Sequence, residues 1–165
     1  MGDAYLKADD RTRALRYFGK SIDALLEDDQ PEPARAVAKK VLRLHPEAIR
    51  TLCTLTWLDL ASMKLPEAKV SLATYVKAAK EGKREYLACS QVLEMARLIP
   101  NADFLREASK ALDLMGCSSD SAQVKVWATE GNPESAPVDK KRLHLFCLKA
   151  AIGSNVKLKD KGALT

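Results

Sequence analysis

Residues 31–66 read PEPARAVAKKVLRLHPEAIRTLCTLTWLDLASMKLP, and their prolines cut the stretch into two helices. Pro31 and Pro33 open the first, where a missing N–H costs nothing. Its apolar stripe is Ala34, Val37, Ala38 and Val41, with Lys39, Lys40 and Arg43 toward the negative end before Pro46. Residues 47–62 form the second helix and differ in kind: Leu52, Cys53, Leu55, Trp57, Leu58, Leu60 and Ala61 point in nearly every direction. A helix apolar all round is either central or carries a binding surface. Met63, Lys64, Leu65 and Pro66 then turn the chain.

The same rhythm continues on both sides. Upstream, residues 11–27 carry Leu15, Phe18, Ile22, Leu25 and Leu26 at steps of three and four, with Asp9 and Asp10 at the positive end. Downstream, residues 67–80 place Ala68, Leu72, Tyr75, Val76 and Ala79 on one face, and residues 84–98 carry a weaker stripe that includes Tyr86, Leu87 and Leu93. Asn101 suits the N-cap of a helix bearing Phe104, Leu105, Ala108, Leu112 and Met115, which Gly116 would end. Helices of nearly equal length with short breaks predict an all-α stack of antiparallel pairs, an α-solenoid, because each pair buries its apolar face only against neighbours.

From Cys117 the pattern weakens. Residues 1–116 are therefore expected as the helical repeat domain and 117–137 as a linker, clearest in GNPESAP at 131–137. Residues 138–165 form a basic tail with one possible capping helix over 139–151, bearing Leu143, Phe146, Leu148 and Ala150, with Ile152 following. From residue 153 onward little remains to bury. The net charge of +5 lies wholly in this tail. Residues 1–135 balance 20 basic against 20 acidic side chains, and the rest adds seven basic against two acidic. The alkaline balance thus describes an appendage.

At 165 residues the chain can bury a core without disulfides or metal. No stretch approaches the ~18 uncharged apolar residues of a membrane span. The first residues show no basic flank leading into an apolar run, as a secretory signal requires. Cys53, Cys89, Cys117 and Cys147 are spaced by 36, 28 and 30 residues, unlike zinc-ligand pairs or a redox CxxC. They read as free thiols in a reducing, cytoplasmic setting, with Cys53 and Cys89 as small core residues.

Gly2-x-x-Tyr5 followed by Ala14-x-x-x-Phe18 resembles the signature of the tetratricopeptide repeat. Ala34 and Ala68 are 34 residues apart, the period of that family, as are Ala14 and Ala48, and Pro46 matches the family's terminal proline. The resemblance spans about residues 1–115 and implies a right-handed superhelix of about three helix pairs that presents a surface to another protein. The two alanine series give the helices opposite parity and leave open which of them line the concave face. Met1 begins inside the first helix of that repeat, so the open face is expected to favour self-association. The asparagine-rich clamp with which some tetratricopeptide domains hold a chaperone carboxylate is not expected, since Asn101, Asn132 and Asn155 all lie outside the repeat helices.

Chemistry leaves few candidates. His45 and His144 are the two histidines, and neither has a neighbouring third ligand or base. No G-x-x-x-x-G-K sequence cradles phosphate, and the acidic pairs at 9–10 and 28–29 sit at helix ends. No catalytic residue, metal ligand or cofactor is expected. The leading reading is a non-enzymatic scaffold, adaptor or assembly subunit that binds a peptide or helix. Trp57 is its natural anchor, with Leu60, Leu52 and Tyr86 as further contacts; the competing reading has Trp57, Leu58 and Leu60 filling the middle of the stack. The alternative function is electrostatic: Lys140, Lys141, Arg142 and Lys149 would contact nucleic acid or an anionic membrane, weakly and with steep salt dependence.

Overall fold

The computed structural model describes residues 11–133. Among them are seven α-helices and no strand: α1 (Arg11–Glu27), α2 (Pro31–Leu44), α3 (Ile49–Ala61), α4 (Leu65–Glu81), α5 (Glu85–Leu98), α6 (Ala102–Leu114) and α7 (Ser118–Glu130). No described helix is long and apolar enough to cross a membrane. Gly2, Tyr5 and the basic tail, with its possible capping helix, lie outside the described residues.

Four of the six connections are the same object. The turns at 28–30, 62–64, 82–84 and 115–117 each have three residues, and the middle one is left-handed: Asp29 at φ 55°, Met63 at 57°, Lys83 at 57° and Gly116 at 81°. The third residue of each turn donates its N–H to a carbonyl five residues back: Gln30 to Leu25 (2.8 Å), Lys64 to Asp59 (2.8 Å), Arg84 to Ala79 (2.7 Å) and Cys117 to Leu112 (2.9 Å). This is the Schellman ending, which satisfies carbonyls the helix leaves open and reverses the chain. Five residues after each left-handed position comes a small buried side chain, namely Ala34, Ala68, Ala88 and Ser121. A small residue at such a position lets the axes of paired helices approach.

Contacts are most extensive within α1–α2, α3–α4 and α6–α7. Helix α5 follows the same kind of turn yet touches α4 much less, and α4 reaches past it to α6. The helix starts record this. α2 opens at residue 31, α4 at 65 and α7 at 118, so an interval of 34 residues is followed by one of 53. The excess corresponds to one helix with its turn, which is α5. Of the two alanine series, Ala34 and Ala68 occupy equivalent buried positions, whereas Ala48 caps the start of α3 and is only half-buried.

Residues 118–130 correct the expected linker, since they form α7 and pack closely on α6. The helix escapes a hydrophobic reading because its buried contacts are few, namely Val124, Trp127 and the polar Ser121. Ser121 is satisfied rather than solvated: its Oγ donates to the Ser109 carbonyl at 3.0 Å and meets the Ser109 Oγ at 2.9 Å.

The cysteine reading is also corrected. Cys89 on α5 and Cys117 in the last turn form a disulfide, so only Cys53 among the described cysteines is a free thiol. Sequence spacing misses the pair because α5 and the start of α7 meet only after α6 has reversed the chain between them. The thiol count therefore no longer argues for a reducing compartment.

Candidate binding groove between α5 and α7

The residues expected to hold a partner separate sharply in the structure. Trp57 is 0% exposed, and Leu60 and Leu52 are buried with it. Trp57 donates its Nε1–H to Gln91 Oε1 at 2.9 Å, which ties α3 to α5. As surface contacts these three are corrected. Helix α3 is apolar all round because it is central: α2 and α4 pack along it, and Gln91 of α5 covers the Trp57 side. Tyr86 alone of the four is open, at 78% exposure. Lys140, Lys141, Arg142 and Lys149 lie outside the described residues.

Two polar clusters sit inside this centre. Cys53 Sγ lies 3.7 Å from the same Gln91 Oε1, and burial pushes its thiol up to about 12, which makes it a poor nucleophile. Asp59 is the other. It accepts a 2.7 Å hydrogen bond from Ser71 of α4 and forms an ion pair with Arg35 of α2. Burial raises the Asp59 carboxyl above its usual range, against the opposing effects of the Ser71 hydrogen bond and the Arg35 charge. The guanidinium meets Asp59 Oδ1 obliquely, so Oδ1 and Arg35 Nε and Nη1 have no hydrogen bond. This cluster joins three helices and opens to no solvent, so it reads as a structural node.

The open feature lies elsewhere. Helices α5 and α7 run side by side but touch sparingly, and they leave a groove of about 930 Å3. Leu93 and Arg97 line one wall; Gln123, Val126 and Trp127 line the other, and Asn132 closes the end. The α7 positions recur at steps of three and four, as one helical face requires. Tyr86 precedes Leu93 by seven residues and Arg97 by eleven, which places it on the same stripe of α5. Val126, 44% exposed, and half-buried Leu93 supply apolar surface over buried Trp127.

The groove is acidic. Asp120 and Glu130 line it against one arginine, and Arg97 is already held by Glu94 at 2.9 Å. The chain itself crosses the far end. Gly131, at φ 83°, ends α7, and Asn132 Nδ2 reaches back to the Arg97 carbonyl at 3.5 Å. Neither Val126 nor Trp127 was singled out from the sequence, because α7 itself was read as linker. A tryptophan three residues after Val124 and six after Ser121 was the available signal. Among the described residues, no three His, Cys, Asp or Glu side chains converge on a metal-sized site. No family model, curated protein or solved structure matches this chain.

Proposed function

We propose that this protein is a non-enzymatic interaction module of the TPR-like kind, a right-handed superhelix whose binding surface is the α5–α7 groove. The observation that carries the reading is the groove itself: a floor of mixed polar and apolar side chains between two helices, with Asp120 and Glu130 at its rims and Trp127 below. A helix inserted between two others is a common recognition mode, and such a floor suits an amphipathic helix with basic flanks. The repeated turns and the small residue five positions after each support the repeat resemblance. The irregular α5 supports a groove at this place, because a helix that pairs poorly with α4 leaves its own side uncovered.

The test is affinity capture from a source lysate with the full chain immobilised, followed by mass spectrometry. A partner retained by the wild type and by Val70→Glu on α4, but lost with Leu93→Glu and Val126→Glu, supports the groove. Retention indifferent to the two groove substitutions rejects it.

A further inference from the structure

The charges of the helical body cancel along the sequence but not in space. Three-residue turns fold α2 back on α1 and α4 back on α3, and short links join α2 to α3 and α4 to α5. The start of α1, the end of α2, the start of α3, the end of α4 and the start of α5 therefore meet at one end of the stack. Two contacts fix the register: Lys40 Nζ lies 5.0 Å from the centre of the Phe18 ring, and Gly82 lies against Ile49. We propose that this end is a second binding surface, separate from the groove, which holds the phosphate backbone of a single-stranded nucleic acid and stacks its bases on tyrosine.

Charge makes the first argument. Arg16 and Lys20 on α1 and Lys39 and Arg43 on α2 are exposed here. So are Lys77, Lys80, Lys83 and Arg84 where α4 ends. None of them has an ion pair among the described residues. In α5–α7, by contrast, Arg97, Arg106, Lys110 and Lys125 each pair with a carboxylate. The described acidic side chains at the basic end of α1–α5 are Glu47, Glu81 and Glu85. The opposite end of α1–α4 carries Glu27, Asp28, Asp29, Glu32 and Glu67 against Lys64 and Lys69.

Helix dipoles do not account for this division. They favour basic groups at the C-terminal ends of α2 and α4. Helix α1 runs the other way: its first turn holds no acidic residue, Arg16 and Lys20 lie toward its start, and it ends in Glu27. The sign of the charge follows the end of the molecule rather than the direction of the helix.

The aromatic side chains make the second argument. Tyr17 and Tyr86 are exposed, whereas the other five described aromatic residues are buried. Both tyrosines stand at the basic end, Tyr17 between Arg16 and Lys20 and Tyr86 just after Arg84. Exposed rings among basic groups suit a single strand, whose unpaired bases stack while lysines and arginines take the phosphates. A membrane surface asks instead for aliphatic side chains to insert. On α1–α4 the large exposed ones, Met63 and Val70, lie toward the opposite end.

The probe is a fluorescein-labelled polyuridylate of about 15 nucleotides, titrated with the full chain and followed by fluorescence anisotropy. Affinity should fall with salt, with a log–log slope near −0.7 for each phosphate held. Lys39→Gln with Arg43→Gln, and separately Lys77→Gln with Lys80→Gln, should each weaken binding and make the slope shallower by roughly 1.4. All four positions are exposed, and unchanged circular dichroism should confirm that the variants fold. Lys64→Gln with Lys69→Gln removes the same charge from the opposite end and should leave the slope as it was. Tyr17→Leu should cost about fivefold in affinity without changing the slope. Absence of binding overturns the proposal, and so does equal loss from the two ends, which would reflect net charge alone. Loss confined to Lys140→Gln, Lys141→Gln, Arg142→Gln and Lys149→Gln overturns it in favour of the tail. Affinity unchanged by both Tyr17→Leu and Tyr86→Leu, with phosphatidylserine vesicles displacing the probe, overturns it in favour of a lipid surface. Partner capture through the groove tests the other reading and is independent of each of these outcomes.

Discussion

Trp57 shows how a single side chain changes role once its neighbours are known. Its ring is enclosed and its indole N–H is satisfied by Gln91, a residue 34 positions along the chain. Truncating it removes core volume and leaves the Gln91 carbonyl with only the Cys53 thiol. Trp57→Ala should therefore cost about 3–5 kcal/mol of stability, read as a lower denaturant midpoint, with the helical spectrum lost cooperatively. An unchanged midpoint would mean the ring is not core. From sequence, the apolar circumference of its helix was legible, and so were its two alternatives, central or exposed. The choice depends on the Gln91 amide, a polar residue on a distant helix that no hydrophobic pattern marks. Asp59 was hidden in the opposite way. It looked like a charge interrupting an apolar run, and it is in fact buried with its partners Arg35 and Ser71 on two other helices.

Helices α1 to α6 were legible because their stripes are long and prolines or caps mark their ends, and their boundaries agree with expectation to within a few residues. The turns were less so. Gly82 reads as the natural stop between α4 and α5, but it sits at an ordinary φ of −86°, and Lys83 takes the left-handed angle. A Cβ at Gly82 would lie 2.7 Å from Ile49 Cδ1, the movable end of that side chain, and 3.3 Å from the Ala78 carbonyl. Lys83 is exposed and holds a conformation that disfavours its Cβ by about 1 kcal/mol or slightly more. Lys83→Gly should recover up to ~1 kcal/mol, seen as a rise in Tm without change in helix content. A fall in Tm would show that the flexibility added to the unfolded chain outweighs the relieved strain. Helix α7 was illegible as an element because one of its three buried contacts is a serine whose hydroxyl is matched by Ser109, twelve residues earlier.

Over the whole molecule, the stack of helices was readable and its irregularity was not. A 34-residue interval is a local property of sequence; the inserted α5, the disulfide and the groove arise only when distant helices are placed together. The disulfide holds α5, the helix with the sparser packing, to the α6–α7 hairpin. Closing a 28-residue separation restricts the unfolded chain by about 3–4 kcal/mol in the chain-entropy account. Reduction, or Cys117→Ser, should lower the unfolding free energy by roughly that amount in a urea titration. Equal midpoints with and without reductant would show that the bond carries no stability.

The same bond has a mechanical meaning. A chain pulled from its two ends transmits force across Cys89 and Cys117 and bypasses α6 altogether. The 28-residue stretch between them stays slack while the rest extends, and it withholds roughly 90 Å of contour at about 3.3 Å per residue. Under tension the oxidised protein is a shorter tether than its reduced form.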